Sequence, residues 1–352
     1  MKYSTKAKAF VLSVILSGTN MVSAMHGAHP NKKMGTPEMK AVLSIYGIPF
    51  PEKNYNVRYE PGVSESSLSV WKCGKNSKDE IVVKCYKKSS SSDISYNSEK
   101  KISEILDKKS LSPSRIEYGP PSKYVIAPKT ISIGQYNLTL SKHSPSLSIK
   151  ELQSFIKSGR GGVQRTSEQK FQALKTILKG ILGIVAYLDK DGILHGDLHF
   201  GNLIFTINDG YELEVKGFDF DNSCIKSDYN NDPTAFERKS MQDLCQLVYG
   251  MSELIDKQHS GACFNNDEDE KQKIKDLDEI FGNIQNTIED IADGITLATD
   301  LKKSYRPVIL TLLSDIINSV DKEQLISNDI VQNTLNEIRK GFGLNDMEWV
   351  DY

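Results

Sequence analysis

The sequence predicts an α+β protein in which a small unit of β-sheet plus one helix precedes a larger, mainly helical unit. Two observations support this prediction. Between residues 53 and 142, short runs of β-branched and aromatic residues alternate with turn-forming residues, as is typical of strands. Between residues 143 and 352, apolar residues recur at three- and four-residue spacing, as is typical of helices. We therefore expect two units of unequal size.

The first unit is expected to contain five strands and one helix. After a serine tract, Ile102 and Leu106 share one face of a predicted helix. Two later strands are expected within residues 114–127 and 135–141. The first three strands are predicted from three runs: NVRYE, SLSVWKCG and EIVVKCYK.

The second unit begins with a helix predicted at residues 148–159. A longer helix follows, because Thr166 and Gln169 form a capping-box pattern before an apolar repeat and Gly192 provides the stop. Two apolar runs around residues 208–210 then predict a strand hairpin. Amphipathic helices are expected from there to the C-terminus.

An acidic stretch, NNDEDEKQK, interrupts these helices at residues 265–273. We expect it to be a solvated loop and not a binding site, because charge runs are usually hydrated.

Composition and charge exclude several classes of function. The 352 residues are 38% hydrophobic and 26% charged, which is ordinary for a folded globular protein. The formal net charge is −2, so the chain has no general field that would attract nucleic acid or an anionic membrane. No nucleic-acid partner is therefore expected, and local sites must determine what the protein binds.

The N-terminus is expected to be an export signal. Lysines precede an apolar run at residues 9–16, and Val22 and Ala24 place small residues where signal peptidase requires them. Cleavage after Ala24 would leave residues 25–52 as a polar extension. A membrane anchor or a buried helix is the alternative. No other stretch is judged long and apolar enough to cross a bilayer, so no membrane span is expected after signal removal.

The cysteines favour a reducing environment. Their odd number and scattered spacing, with no C-x-x-C pair, match neither a disulfide framework nor a zinc site. Export followed by work in a reducing cytosol would reconcile the thiols with the signal segment. The five are Cys73, Cys85, Cys224, Cys245 and Cys263.

The segment ILHGDLHFGNLIF carries the clearest chemical pattern, H-x-D-x-x-x-x-N, with His195, Asp197 and Asn202 in register. A downstream DFD places Asp219 after a second apolar run. Phosphoryl transfer requires a carboxylate near the attacking hydroxyl and oxygen ligands that hold Mg²⁺ against nucleotide phosphates. Asp197 is therefore the predicted catalytic carboxylate, and Asn202 and Asp219 are the predicted metal ligands.

With these motifs, the chain resembles the protein-kinase-like superfamily over most of its length after the signal segment. The resemblance implies a bilobal fold, with residues 53–142 as the small lobe, and ATP and Mg²⁺ as cofactors. It also implies that Lys84, in EIVVKCY, holds the nucleotide phosphates. Glu99 is its expected ion-pair partner and Glu104 the alternative. Asp243 would brace the catalytic loop from a long helix.

The chain departs from the kinase pattern at two nucleotide-binding segments. The loop expected to cover the phosphates keeps Gly62 but is otherwise serine-rich, so phosphate contacts would come from residues such as Ser64 and Ser66. Asp221 replaces the glycine usual after Asp219-Phe220. It is interpreted either as an accessory metal carboxylate or as a solvated group.

Two histidines have different expected roles. HGDLHFGN is similar to the motif of aminoglycoside and choline kinases. His199 would then either contact the transferred phosphate or donate to a neighbouring carbonyl. In the family that the chain resembles, His195 holds the loop, so its expected role is structural.

The leading functional hypothesis is an exported, atypical protein kinase that phosphorylates Ser/Thr hydroxyls of a protein, inside a host cell that supplies ATP. One alternative is a small-molecule phosphotransferase of the aminoglycoside or choline kinase type. Another is a pseudokinase that binds partners without transfer. Transfer of AMP in place of phosphate also stays open.

Overall fold

The computed structural model shows a mixed α+β protein that is mostly helical. The export segment, the extension after it and the serine-rich loop with Gly62, Ser64 and Ser66 lie outside the described residues. The structure describes residues 59–60, 69–73, 81–87, 90–107, 123–133, 136–142, 146–159, 162–208, 210–256, 263–264, 267–295 and 304–341.

A five-stranded antiparallel sheet and one helix form the N-terminal unit. The strand order is β1-β2-β3-β5-β4, so β3 lies at the centre with Val70 and Thr139 on either side of Lys84. The elements are β1 (Tyr59–Glu60), β2 (Ser69–Cys73), β3 (Ile81–Lys87), α1 (Ser90–Asp107), β4 (Lys129–Ile133) and β5 (Tyr136–Lys142).

Helix α1 packs on the sheet with the face predicted from its apolar spacing. Ile102 and Leu106 are fully buried. Glu99 lies three residues before Ile102, on the same side of a helix that repeats every 3.6 residues, and is therefore drawn into the interface. Only 2% of Glu99 is exposed, so this carboxylate must be compensated by a neighbouring charge or donor.

Within the described residues, the first three strand predictions and that of β5 are confirmed, but the strand expected within residues 114–127 is wrong for residues 123–127. There the chain forms a single bridge, from Val125 to Gly217, and the strand begins later, at Lys129. Two hydrogen bonds tie this piece to the end of another strand: Ile126 N to Gly217 O at 2.9 Å and Gly217 N to Tyr124 O at 2.8 Å. Pro128, which has no N–H, separates it from β4.

The C-terminal unit is mainly helical, as predicted. Its elements are α2 (Ile149–Lys157), α3 (Ser167–Asp189), β6 (Ile193–Leu194), β7 (Leu203–Ile207), β8 (Leu213–Gly217), β9 (Cys224–Ile225), α4 (Pro233–Ile255), α5 (Glu268–Ile295), α6 (Arg306–Ser319) and α7 (Asn328–Gly341).

Helix α3 runs through the core of this unit. Its N-terminus is the predicted capping box: Gln169 N donates to Thr166 Oγ1 at 3.3 Å, and Thr166 N donates to Gln169 Oε1 at 3.1 Å. Ile177 and Ile184 are fully buried on it. By length and composition this helix is long and apolar enough to cross a membrane, so the expectation that no such stretch exists was too strict. Its apolar residues pack against protein, as those of a core helix do.

The acidic stretch at residues 265–273 is not simply a solvated loop. Helix α5 begins within it at Glu268, and Glu270 is only 3% exposed. Both Glu270 carboxylate oxygens accept from Lys170 Nζ at 2.9 Å. The sequence prediction failed because a buried basic partner lies 100 residues away on α3. This pair joins the first turns of α3 and α5.

Among the cysteines whose side chains the structure describes, Cys224, Cys245 and Cys263 are free thiols. Cys263 is buried and its Sγ lies 3.5 Å from the carbonyl oxygen of Gln153, while Cys224 and Cys245 are partly exposed.

Glu237 on α4 supports a pH-dependent stability prediction. Burial raises its pKa, although Ser304, Tyr305 and Arg306 oppose the shift. A carboxyl whose folded pKa exceeds its unfolded pKa stabilises the fold below the unfolded pKa, and this contribution is lost as the pH rises through the folded pKa. Ser304 Oγ and Tyr305 N both donate to the same oxygen, Oε1, which glutamine retains.

We therefore expect Glu237→Gln to gain stability relative to wild type as the pH rises from about 4 towards 7. Urea unfolding at several pH values measures the difference in free energy of unfolding. Glu104→Gln, at an exposed position on α1, is the matched control. A difference between Glu237→Gln and wild type that does not change with pH would contradict the prediction.

Candidate active site

Two strand pairings bring the predicted site residues together. Leu194 on β6 pairs with Cys224 on β9, and Leu203 on β7 pairs with Gly217 on β8. The loop 195–202 and the segment 218–223 are therefore held side by side between paired strands. Every polar residue of the HGDLHFGN motif lies in the loop, and both aspartates of DFD lie in the segment.

Lys84 contacts two carboxylates from different parts of the chain. Its Nζ lies 3.2 Å from Glu99 Oε1 on α1 and also donates to Asp219 Oδ1, just after β8. The side chains of Lys84, Glu99 and Asp219 are 14%, 2% and 12% exposed. Glu104, the alternative partner in the sequence, is exposed. One lysine thus connects the sheet, its helix and the C-terminal unit.

The charges in this cluster hold one another in their ionised forms. Burial by itself would lower the pKa of Lys84, but Asp219 and Glu99 raise it well above its ordinary value. Burial likewise acts to raise the pKa of Asp219, but Lys84 more than offsets it and the pKa is lowered. Lys84 is therefore a permanent cation and Asp219 a permanent anion near neutral pH.

Asp221 is not a freely solvated carboxyl. Burial, followed by the neighbouring Asp219 charge, raises its pKa to about 8. It is hydrogen-bonded to Asp219. Two neighbouring carboxylates would take a shared cation readily, since repulsion between them is otherwise relieved by protonation.

Asp219 has a left-handed backbone conformation, which aspartate adopts more readily than most residues other than glycine. Its φ is 68°, in the left-handed region that few residues other than glycine adopt. Such conformations cost on the order of 1–3 kcal/mol and cluster at functional sites.

The predicted catalytic carboxylate, Asp197, is held by two amides and stays accessible. Asn202 Nδ2 donates to the Asp197 backbone oxygen at 2.8 Å and to Oδ2 at 3.3 Å. Asn222 Nδ2 also approaches Oδ2, at 3.4 Å. The Asp197 side chain is 31% exposed, so one side of it can meet an incoming hydroxyl.

His199 does not use a neighbouring carbonyl as its partner in the described hydrogen bonds, and its contact with a transferred phosphate stays a prediction. Its Nδ1 accepts from Gly201 N at 3.0 Å, so the ring proton of the neutral form must be on Nε2. Nε2 faces Asp197 Oδ1 at 3.8 Å. The expected bond to a neighbouring carbonyl is therefore wrong, and His199 is instead part of the surroundings of Asp197.

His195 is buried and holds two segments of the site together. It is 1% exposed and its ring packs on Phe220, with centroids 4.9 Å apart. Its Nε2 lies 2.9 Å from the carbonyl oxygen of Phe218, so this nitrogen donates. Burial lowers the pKa of His195, which keeps the imidazole neutral. This contact joins the loop 195–202 to the segment 218–223.

Asp243 on α4 contacts the backbone of the loop 195–202. Its Oδ1 accepts from Gly196 N at 2.7 Å, and only 1% of the residue is exposed. Gly196 has φ 78°, and a β-carbon there would lie 2.3 Å from the carbonyl oxygen of Asn222. Glycine is therefore required at position 196. Because Asp197 is the next residue, the contact between Gly196 and Asp243 holds the backbone next to the predicted catalytic carboxylate.

Sequence reasoning missed two residues of this arrangement. Asn222 directly follows DFD, and its position beside the motif was the available signal. Arg306, which donates to Asp243 Oδ2 at 2.8 Å, lies 63 residues away and had no local signal.

The oxygen-rich donor set fits Mg²⁺. The hairpin register places Asn202 beside Phe218, because Phe218 N donates to Asn202 O at 3.2 Å, and Asp219 is the next residue. The described residues contain no cluster of three or more His, Cys, Asp or Glu able to hold a metal alone. Mg²⁺ usually takes one or two protein carboxylates and completes its shell with water and substrate phosphates. Asn202, Asp219 and Asp221 suit that mode.

Comparison of the sequence with protein-family models and with curated proteins found no match.

Proposed function

We propose that the protein is an ATP- and Mg²⁺-dependent phosphotransferase of the protein-kinase-like type, with the sheet unit and the helical unit as its two lobes. One observation carries this proposal. Lys84, Glu99 and Asp219 converge in one buried cluster, beside a loop that presents Asp197 and Asn202. These are the polar groups that phosphoryl transfer to a hydroxyl requires.

Lys84 is suited to hold nucleotide phosphates. Its charge is permanent, and Glu99 orients it from α1. Beside it, Glu99 Oε2 and Tyr86 Oη are buried and have no hydrogen-bond partner among the described residues. Buried polar atoms are seldom left unpaired, and of these two only the Tyr86 hydroxyl can donate a hydrogen bond to an additional acceptor beside Lys84, because a carboxylate oxygen only accepts. Triphosphate oxygens would contact Lys84 and free Asp219 for the metal.

Bound Mg²⁺ would neutralise charge that develops on the phosphate oxygens. Asp219 and Asn202 would hold it, with Asp221 as a further ligand. Asp197 would orient the acceptor hydroxyl. As the hydroxyl oxygen forms its bond to the γ-phosphorus, the bond to the ADP oxygen breaks and the hydroxyl proton passes to Asp197.

The proposed acceptor is a Ser/Thr hydroxyl of a protein, and the proposed compartment is a host cell, which the chain would reach if the predicted export segment acts as a signal. One structural feature favours a small-molecule acceptor as the second candidate. Between Asp221 and the start of α4 at Pro233, the chain forms only the two-residue strand β9 and one turn of 3₁₀ helix. Protein kinases use this region to seat a peptide, and here it is short.

The first test uses the chain from Met25 with Mg²⁺ and γ-labelled ATP, with and without a generic protein acceptor and host-cell lysate. We expect Asp197→Asn to lower label transfer by about 10²–10⁴-fold, because the general base is lost, while nucleotide binding is kept. Asp191→Asn, on the turn before β6, is the matched control and should transfer at the wild-type rate.

Three other outcomes would change the proposal. Label from α-labelled ATP on the acceptor would indicate AMP transfer. ATP hydrolysis stimulated by aminoglycosides or choline, without protein labelling, would favour the small-molecule acceptor. Nucleotide binding without transfer to any acceptor would contradict an enzymatic function and leave a binding module.

A further inference from the structure

We propose that Arg306 is a positioning residue for the catalytic loop and acts on Asp197 through Asp243 and Gly196. This inference rests on the proposed function for its kinetic consequence. Its structural part, the control of the Gly196 contact, can be tested without activity.

Arg306 is the first residue of α6 and is buried, at 7% exposure. Its Nη2 donates to Asp243 Oδ2 at 2.8 Å, and its Nη1 donates to the carbonyl oxygen of Ser240 at 3.0 Å. Its Nε donates to Asp189 Oδ1 at 3.0 Å and Oδ2 at 3.1 Å. The guanidinium is planar, so contacts on three sides fix its orientation.

The two oxygens of Asp243 have separate partners. Oδ2 receives Arg306, and Oδ1 receives the backbone N–H of Gly196 at 2.7 Å. A carboxylate can rotate about its terminal torsion, which is broad in energy. A fixed cation on Oδ2 therefore determines where Oδ1 points. Since Gly196 directly precedes Asp197, that direction sets the backbone from which the catalytic carboxylate projects.

The start of α6 is itself attached to α4, the helix that carries Asp243. Glu237 Oε1 accepts from Tyr305 N at 3.2 Å and from Ser304 Oγ at 3.0 Å. The backbone that carries Arg306 is therefore held in place relative to the helix that carries Asp243. The arrangement Arg306–Asp243–Gly196 runs from the helical interior to the loop through two short contacts.

The test compares Arg306→Gln with Arg339→Gln. The side chain of Arg339, on α7, also binds an aspartate: its Nη2 donates to Asp290 Oδ2 at 3.2 Å. Among the described hydrogen bonds, Arg339 has no contact with the loop 195–202 or with α4. Two readouts are taken: kcat against KM for ATP, and amide hydrogen exchange at Gly196 relative to core amides of α3.

For Arg306→Gln we expect kcat to fall about 10- to 100-fold with KM for ATP within about twofold, because small misplacements of a reacting group cost that much. Exchange at Gly196 should rise at least about tenfold more than exchange at core amides, since its acceptor is no longer held. Arg339→Gln should match wild type in both readouts.

If Arg306→Gln does not fold, Arg306→Lys keeps the charge beside Asp243 but loses the planar fork, and is expected to show the same two changes at smaller size. A folded variant with wild-type kcat and wild-type Gly196 exchange overturns the proposal. A parallel rise in exchange across all core amides would also overturn it, since that reports general destabilisation. If the wild type transfers no phosphate, the proposed function fails while Gly196 exchange still tests the contact.

Discussion

Replacing Asp219 with asparagine is expected to lower phosphoryl transfer by about 10³-fold or more. The substitution keeps the shape of the side chain but removes the anion that contacts Lys84 and would hold Mg²⁺. Loss of a metal-binding charge removes several kcal/mol of transition-state stabilisation, and about 4 kcal/mol corresponds to a factor of about 10³. The expected effect is therefore comparable to that of Asp197→Asn and acts through the metal instead of the general base.

The measurement is kcat/KM for ATP over a range of Mg²⁺ concentrations. Asp219→Asn should need much more Mg²⁺ to approach its reduced maximum. Asp191→Asn serves again as the control that removes one carboxylate outside the cluster. Transfer by Asp219→Asn within threefold of wild type, at any Mg²⁺ concentration, would show that the metal is held elsewhere or is not used.

Replacing Glu270 with glutamine is expected to lower the free energy of unfolding by about 3–5 kcal/mol. The change leaves Lys170 as a buried cation without its carboxylate, and breaking one half of a buried ion pair costs this much. For a chain of this size the melting temperature should fall on the order of 10 °C. Urea denaturation and calorimetry measure both quantities.

The same helix provides the matched control. Glu268 and Lys271 form an exposed pair at 2.5 Å in the first turn of α5, and Glu268→Gln should change stability by about 0.5 kcal/mol or less. A double variant, Lys170→Met with Glu270→Leu, should recover most of the loss because no buried charge is left. A double variant as unstable as Glu270→Gln would show that the charges are not the reason.

Much of the secondary structure could be predicted because its causes are local. The capping box of Thr166 with Gln169 needs only a spacing of three residues, and the apolar repeat of α3 needs only the helical period. The hairpin of β7 and β8 follows from two apolar runs around a turn. The order of Lys84, Glu99, Asp197, Asn202 and Asp219 along the chain also suggested the chemistry.

The strand predicted too early shows where local signals fail. Residues 124–126 have suitable composition, but their hydrogen bonds go to Gly217 of β8, and Pro128 moves the start of β4 to Lys129. Composition cannot show whether the backbone N–H and C=O groups of these residues will pair with the N-terminal sheet or with β8.

By itself, the sequence of the protein determined where most of the helices and strands form and which polar residues accompany them, because capping, periodicity and turn chemistry act within a few residues. Only the tertiary structure decided which charges become partners. It paired Lys84 with Glu99 while leaving Glu104 exposed, buried Glu270 against Lys170, and placed Arg306 on Asp243. The partners lie 15, 100 and 63 residues apart in the chain, and whether a charge is buried depends on packing that no local pattern contains.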